Sequence, residues 1–368
     1  MSPAPLILLA AGGTGGHLFP AEALGVELIK RGLRVRLATD ARALRYSGLF
    51  TPDNIDVVPS ETVRGRSLVA LVRTVYTLGY GTLVAARLVR RLKPAAVVGF
   101  GGYPTLPPVL AAAWRGVPTV IHDANAVIGR ANRLLAPRVT AIATTFPDVF
   151  RDRPRLAAKA TLTGNPVRPA VVAAAATPYP PITDRLQLLV FGGSQGARVM
   201  ADVVPAAIEA LDPALRARLS IVQQARDEDL ARVRDTYSNL SVTAETAPFF
   251  ADLPARIAAS HLIVARSGAS TVAELAAIGR PSILVPLPHA LDQDQFANAG
   301  VLAGVNAAIR LPQAEFTPRR LATEIAALAG APKRLAAMAA AAKFLGRLDA
   351  ADRLADLVVK VAGDALRD

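Results

Sequence analysis

The chain has 368 residues, of which 52% are hydrophobic, and a formal net charge of +13. This length and apolar content suit two folded domains and exclude a disordered chain. The absence of cysteine excludes disulfides, thiolate nucleophiles and cysteine metal sites. The four histidines show neither an HExxH motif nor paired spacing, so we expect no structural metal.

Hydrophobic segments are too short for membrane insertion. The first residues carry no basic cluster, and the apolar run 6–11 is shorter than the core of a secretory signal. No uncharged apolar run reaches the roughly 18–20 residues of a spanning helix. We therefore expect a protein that is soluble or bound to a membrane surface.

The positive charge is concentrated in the first half. Residues 169–368 contain equal numbers of acidic and basic residues, and residues 62–122 contain no acidic residue. Within 62–122, apolar residues recur at helical spacing among arginines, which is typical of a helix on an anionic membrane surface. This predicted membrane patch consists of Arg64, Arg66, Leu68, Leu71, Val72, Arg73 and Val75. The same stripe also fits a helix facing the domain core. Nucleic acid is not expected as a partner, because no aromatic-interleaved strand accompanies the charge.

Short apolar runs alternate with helical patterns along the chain. The predicted strands are 6–11, 33–38, 95–100, 118–122, 139–143, 160–162, 186–191, 219–223, 240–244, 262–265 and 281–286. The predicted helices include 18–31, 197–211, 227–237, 254–260, 269–278 and 292–302, followed by a helical tail from Pro318. The Pro- and Ala-rich segment 164–181 indicates a connection between domains. This alternation predicts parallel, doubly wound sheets that bind ligands beyond the carboxyl ends of their strands.

Two predicted strands end in glycine-rich turns that precede helices. The first is GGTGGH, from Gly12 to His17, and the second is GGSQGAR, from Gly192 to Arg198. Such a turn lets backbone N–H groups approach an anion at the helix N-terminus. Two of these units, half a chain apart, predict two α/β domains facing each other across a cleft.

The first loop also fits part of a dinucleotide fingerprint. Gly13 and Gly15 supply G-x-G, and Asp40 lies near the expected position of a ribose-binding acid. An NAD-dependent oxidoreductase is therefore an alternative, although Leu18 stands where that fingerprint has Gly or Ala. A P-loop is excluded because neither loop is followed by GK[ST].

Further polar motifs follow the other predicted strands. They are GFGGYP (99–104), HDAN (122–125), GNPVR (164–168), RSGASTVAE (266–274) and HALDQDQFAN (289–298). Each lies at the edge where a doubly wound sheet binds its ligand. Polar loop residues without a shared function would not favour that edge repeatedly.

Together these motifs resemble the MurG family of glycosyltransferases, from the first glycine loop to about residue 298. That family transfers N-acetylglucosamine from UDP-N-acetylglucosamine to undecaprenyl-pyrophosphoryl-muramoyl pentapeptide (lipid I), giving lipid II. The resemblance implies the GT-B fold, with two Rossmann-like domains. We expect an acceptor- and membrane-facing domain at 1–164 and a UDP-sugar domain at 165–345, with a C-terminal helix, about 346–368, packing on the first. It also implies a peripheral protein at the cytoplasmic face of the bacterial inner membrane, with no cofactor.

The resemblance assigns donor-binding roles in the second domain. Ser194 and neighbouring amides are expected at the diphosphate, Glu274 at both ribose hydroxyls, and Phe250 near the uracil. A carboxylate suits a vicinal diol because each oxygen accepts one hydrogen bond. The remaining donor residues are Ala269, Ser270, Thr271, Asp294 and Gln295, the last two at the sugar hydroxyls.

In the first domain, the residues expected at the sugar and diphosphate are Thr14, Gly15, Gly16 and Asn125, assisted by Arg168 from the connection. Two positions depart from the family pattern. His122-Asp123-Ala124-Asn125 stands where the family often has His-Glu-Gln-Asn, and Asp294-Gln295 stands where it often has Gln-Gln.

The implied reaction inverts the configuration at the anomeric carbon and needs a base that takes the proton of the acceptor's 4-hydroxyl. His17 is the first candidate, because the positive end of a helix disfavours the imidazolium form. Its alternative role is structural, holding the glycine loop or a phosphate. Asp123 and His122 are the second candidates. The chain has no DxD-like acidic pair, so we expect no metal at the nucleotide.

Two further alternatives remain from the sequence. One is another GT-B enzyme that uses a UDP-sugar, such as a glycolipid synthase or a sugar 2-epimerase. The other is a membrane scaffold without enzymatic activity, which would leave the polar residues at so many strand ends unexplained.

Overall fold

The computed structural model describes residues 4–12, 15–41, 48–60, 68–193, 196–288 and 293–366, with only the backbone described for 68–71 and 364. The chain forms two compact units. One consists of Met1–Arg168 with Leu348–Asp368, and the other of Pro169–Arg347. The first unit ends at Arg168, whereas we expected from the sequence that it ends at residue 164.

The first unit contains a seven-stranded parallel sheet of order β3-β2-β1-β4-β5-β6-β7. Its strands are β1 (Leu6–Ala10), β2 (Arg34–Thr39), β3 (Ile55–Val57), β4 (Ala96–Gly99), β5 (Thr119–Asp123), β6 (Ala141–Thr144) and β7 (Ala160–Leu162). Its helices are α1 (Gly15–Lys30), α2 (Leu68–Leu92), α3 (Leu106–Trp114), α4 (Arg130–Leu135), α5 (Pro154–Ala157) and, from the end of the chain, α15 (Ala350–Ala362).

Strand β1 shows why this sheet needs helices on both faces. All of its residues are apolar and buried. Ile7 and Leu9 belong to a core cluster with α1 and α15, whereas Leu8 and Ala10 belong to a second cluster with α2, α3 and α4. Because successive side chains of a strand point to opposite faces, a continuous apolar run requires a cover on each side.

The second unit contains a six-stranded parallel sheet of order β10-β9-β8-β11-β12-β13. Its strands are β8 (Leu186–Phe191), β9 (Leu219–Gln224), β10 (Thr243–Ala247), β11 (Leu262–Ala265), β12 (Ser282–Leu284) and β13 (Ala308–Arg310). Its helices are α6 (Pro169–Ala174), α7 (Arg198–Glu209), α8 (Pro213–Ala217), α9 (Asp227–Asn239), α10 (Leu253–Ala259), α11 (Ala269–Ile278), α12 (Asp294–Gly304), α13 (Pro318–Ala329) and α14 (Pro332–Leu345).

Both sheets place their first strand beside their fourth, which is the Rossmann order. In such a sheet, the connections that follow these two neighbouring strands run to opposite faces of the sheet. A crevice therefore opens between them at the carboxyl ends of the two strands. This switch point lies between β1 and β4 in the first unit and between β8 and β11 in the second. Both glycine loops therefore follow a strand at a switch point.

The predicted fold class, two parallel α/β domains, is confirmed. The edge strands β3 and β13 were not predicted, because each has only three residues and includes a charged one, Asp56 or Arg310. Strand β10 begins at Thr243 rather than residue 240, because α9 extends to Asn239.

None of the described helices is by itself long and apolar enough to span a membrane. The segments Pro318–Ala329 and Pro332–Ala362, bent by 96°, meet that criterion only as a pair.

Candidate active site

His17 lies in the first turn of α1, at the switch point of the first sheet. Its Nδ1 is 2.8 Å from the carbonyl oxygen of Phe100, which follows β4. A carbonyl can only accept a hydrogen bond, so Nδ1 carries the hydrogen. In the neutral ring, Nε2 is then the basic nitrogen.

Three glycines surround the His17 ring. A Cβ atom at Gly12 or Gly102 would lie 3.1 or 3.3 Å from the ring's Cδ2, and one at Gly101 would lie 3.3 Å from Cε1. Gly101 and Gly102 also have φ angles of 88° and 77°, which other residues rarely adopt. The GFGGYP and GGTGGH motifs therefore meet, and their glycines make room for the imidazole.

His122, at the end of β5, is fully buried. Its Nε2 is 3.1 Å from the carbonyl oxygen of Gly164, to which it donates, and its ring centroid is 5.6 Å from that of Phe100. Burial, with a smaller effect from the nearby His17, lowers the pKa of His122 to about 4, against the opposing effect of the Gly164 hydrogen bond. His122 is therefore neutral at pH 7, and its ring is held by contacts with Gly164 and Phe100.

Asp123 is 1% exposed, and both of its carboxylate oxygens accept backbone or side-chain N–H groups. Oδ1 accepts from the amide of Asn125, and Oδ2 accepts from the amide of Gly129 and from Nδ2 of Asn132. Asn132, which sequence reasoning missed, also donates to the His122 carbonyl oxygen at 3.0 Å. These contacts fix the loop that carries Asn125 and favour a structural role for Asp123.

Arg168 is the last residue of the first unit and lies against α1. Its guanidinium carbon is 4.3 Å from the centroid of the Phe19 ring. A Cβ at Gly15 would lie 2.9 Å from that same ring, so the glycine lets Phe19 pack closely. Gly16, in the same turn, is exposed. The structure thus brings Arg168 to the start of the helix that carries His17.

The switch point of the second unit combines the second glycine loop with the start of α11. A Cβ at Gly192 would lie 2.3 Å from the amide nitrogen of Ala197, so only glycine fits there. Ala269, Ser270 and Thr271 form the first turn of α11 and are half-buried. The Ser270 hydroxyl is buried and has no hydrogen-bond partner among the described residues, which suits a polar ligand at this helix N-terminus.

Glu274 lies in the second turn of α11 and is 6% exposed. The start of α12 is tied to the same region, because Ser267 Oγ donates to the Gln295 carbonyl at 2.8 Å and Asn298 Nδ2 donates to the Ser267 carbonyl at 3.3 Å. The side chain of Gln295 accepts from the Leu287 amide, and Asp294 accepts from the Gln295 amide. The start of α12, with the predicted sugar residues Asp294 and Gln295, is therefore tied to Ser267, which precedes α11.

Phe250 is buried at the end of the segment that follows β10. The Arg256 guanidinium covers its ring, with its carbon 4.3 Å from the ring centroid. Four predicted residues, Thr14, Arg64, Arg66 and Ser194, lie outside the described residues, as do the side chains of Leu68 and Leu71.

Helix α2 presents two different faces. Its second half packs Ala85, Leu88 and Val89 into the core. Val72, Val75, Tyr76, Tyr80 and Leu83 are more than half exposed and recur at helical spacing, with the exposed Arg73 among them. The core-facing interpretation thus fits the second half of the helix, and the membrane-surface interpretation fits the first half.

Within the described ranges, no group of three or more histidines and carboxylates is placed to hold a metal.

Comparison with known proteins decides the family. The glycosyltransferase family 28 N-terminal domain matches residues 7–144, and the family 28 C-terminal domain matches residues 187–354. The chain belongs to glycosyltransferase family 28. This membership confirms the resemblance seen in the motifs and decides against the oxidoreductase and scaffold alternatives.

Relatives match the chain over nearly its whole length. Two are named UDP-N-acetylglucosamine–N-acetylmuramyl-(pentapeptide) pyrophosphoryl-undecaprenol N-acetylglucosamine transferase. The one from Nitrobacter winogradskyi is 70% identical, covering 98% of this chain and 99% of the relative, and the one from Rhodopseudomonas palustris is 71% identical, covering 98% and 100%. The crystal structure of MurG from Acinetobacter baumannii superposes with a TM-score of 0.78 at 29% identity, covering 97% of this chain and all of that one.

The buried, neutral state of His122 makes stability depend on pH. An unfolded chain takes up a proton near pH 6.5, whereas the folded protein does so only near pH 4, so acidification through this window favours unfolding. Between pH 7 and 4.5 we expect the free energy of unfolding to fall by roughly 2–3 kcal/mol more in the wild type than in His122→Gln. Urea unfolding followed by circular dichroism measures this difference, and equal losses in both proteins would contradict the assignment.

Proposed function

We propose that this family 28 enzyme transfers N-acetylglucosamine from UDP-N-acetylglucosamine to the muramoyl 4-hydroxyl of lipid I, giving lipid II for peptidoglycan synthesis. The observation that carries this proposal is the identity of about 70%, over almost the full chain, to transferases named for that reaction. The two switch points support it, since one presents a histidine and the other a helix N-terminus beside a buried carboxylate.

We assign His17 as the base. The acceptor's 4-oxygen attacks the anomeric carbon from the face opposite the diphosphate, its proton passes to Nε2 of His17, and the bond from the anomeric carbon to the phosphate oxygen breaks. The leaving UDP takes the electron pair. The Phe100 carbonyl supports this role, because it holds the hydrogen on Nδ1. The packing of His122 and the three hydrogen bonds to Asp123 favour His17 over both.

The donor is assigned to the second unit, with Arg168 of the first unit assisting. The N-terminal amides of α7 and Ser194 bind the diphosphate and stabilise it as it departs. Glu274 accepts from the ribose hydroxyls, backbone groups near Phe250 read the uracil, and Asp294 with Gln295 binds the sugar. Ala269, Ser270 and Thr271 complete this site. Thr14, Gly15, Gly16 and Asn125 contact the sugar and diphosphate from the first unit.

The reaction and its base are tested in one assay. With lipid I and UDP-N-acetylglucosamine, mass spectrometry should show a product heavier by one N-acetylhexosamine, and diacylglycerol should give none. His17→Ala should lower kcat by ~10²–10⁴ while the Kd for UDP-N-acetylglucosamine stays unchanged. His261→Gln is the control, because His261 accepts from the Gln187 amide in the second unit and has a structural role. Normal turnover by His17→Ala would remove His17 from the mechanism.

The ribose assignment is tested with UDP and 2′-deoxy-UDP. Loss of a charged hydrogen-bond acceptor in Glu274→Ala should raise the Kd for UDP by roughly 10- to 100-fold. Because the lost contact is to the ribose hydroxyls, the preference for UDP over 2′-deoxy-UDP should shrink in parallel. Asp235→Ala removes an exposed carboxylate of α9 and should change neither value. An unchanged preference in Glu274→Ala would argue against this contact.

We further propose that the exposed face of α2 rests on an anionic membrane at the cytoplasmic side of the inner membrane. An exposed apolar face of this extent is unusual for a monomer surface and suits insertion at the lipid headgroups. The arginines at positions 64, 66 and 73 supply the attraction to anionic lipid.

Vesicle co-sedimentation tests this surface. Replacing Arg64, Arg66 and Arg73 with glutamine should weaken binding to anionic vesicles about 100-fold, at ~1 kcal/mol for each charge. The control replaces Arg151, Arg153 and Arg155, which are exposed and change the net charge equally. If both triple variants lose binding equally, the attraction is general and the assignment to α2 fails.

A further inference from the structure

Gln224, the last residue of β9, connects two loops of the second unit. It is 6% exposed. Its Oε1 accepts from the amide of Gly192 at 3.0 Å, and its Nε2 donates to the carbonyl oxygen of Pro248 at 3.1 Å. Gly192 begins the second glycine loop, and Pro248 begins the segment leading to Phe250. One side chain therefore bridges the two loops.

The side-chain amide of Gln224 suits this pair of contacts. The Gly192 N–H can only donate and the Pro248 carbonyl can only accept, so the bridge needs an acceptor and a donor on one short side chain. The same two partners fix the orientation of the amide. Since the side chain is buried, losing either contact leaves a backbone group without its partner.

The residues after Gln224 reinforce the bridge. The Ala225 amide donates to the Ala247 carbonyl at 3.1 Å, which holds the end of β10. Arg226 packs against Gly196, where an added Cβ would lie 3.0 Å from the Arg226 Cγ, and its Nη2 is 3.5 Å from the Gly196 carbonyl oxygen. The end of β9 thus contacts the glycine loop at Gly192 and at Gly196.

We propose that Gln224 is a positioning residue of the donor site. It holds the loop that binds the diphosphate at a fixed distance from the loop beside the uracil, so that both halves of UDP find their partners already in place. Pre-ordered loops bind more tightly because less conformational entropy is lost on binding. This inference rests on the proposed assignment of the two loops to the diphosphate and the base.

The neighbouring glutamine provides a matched control. The side chain of Gln223 points to the opposite face of the sheet, is fully buried, and also makes two hydrogen bonds. Its Nε2 donates to the Met200 carbonyl, and its Oε1 accepts from the Tyr237 hydroxyl. Replacing it removes as many hydrogen bonds from the same strand while leaving the bridge between the two loops intact.

The experiment measures inhibition by UDP and by uridine, together with kcat and KM for UDP-N-acetylglucosamine. Gln224→Met should raise the Ki of UDP about tenfold and that of uridine less, because uridine uses only one of the two loops. In Gln224→Glu the carboxylate still accepts from the Gly192 amide but repels the Pro248 carbonyl oxygen. Because both ligands use the loop that begins at Pro248, the Ki of UDP and the Ki of uridine should rise by the same factor. In both variants KM should rise while kcat stays within about threefold. Gln223→Met should lower the melting temperature without changing either Ki.

Two results would overturn the inference: a Ki for UDP within about twofold of wild type in Gln224→Met, or an equal rise in Gln223→Met. Glu274→Ala, measured in the same series, separates this inference from the donor-site assignment. If Glu274→Ala binds UDP like wild type, the donor site and the inference both fail. If Glu274→Ala binds weakly and Gln224→Met binds normally, the inference alone fails.

Discussion

The order of the parallel strands is the constraint on which the rest of the structure depends. In the first unit, β1 leads to α1 on one face of the sheet and β4 leads to α3 on the other. The chain therefore separates at the carboxyl ends of these two strands, and backbone from both loops lines the opening. His17, Phe100 and the surrounding glycines occupy that point. The second unit repeats the order, which places its glycine loop beside α11.

Close packing and hydrogen bonding make the first switch point suitable for acid–base chemistry. The glycines allow the imidazole to lie against backbone, and the Phe100 carbonyl selects which nitrogen carries the hydrogen. His122 lies nearby but is kept neutral by burial, so its ring carries no positive charge beside His17 at neutral pH. Both carboxylate oxygens of Asp123 accept hydrogen bonds from N–H groups of residues 125–132. The three candidate bases thus differ in their burial and in their hydrogen-bond partners.

Helix α2 shows how one element serves the core and the surface. Its first half presents valines and tyrosines to solvent, and its second half packs against the sheet. A helix that was purely a core element would bury its apolar stripe along its whole length. Because the exposed part lies among arginines in a region without acidic residues, its chemistry matches an anionic lipid surface.

The sequence by itself determined the two sheets, most of their strands and the positions of both glycine loops. It could do so because apolar runs and glycine turns are local patterns, and because the motifs after the strand ends are specific to one family. The donor-site assignments of Glu274 and Gln295 come from the same motifs, and they stay predictions.

Tertiary structure alone showed the hydrogen-bond partners of His17, His122 and Asp123 and the burial of the last two, since these depend on residues far apart in the chain. It also revealed Asn132 and Gln224. Their function lies in contacts with His122 and Asp123, and with Gly192 and Pro248, and no local pattern encodes such contacts. A polar residue at a strand end or on a short helix is unremarkable in sequence until the fold shows which groups it joins.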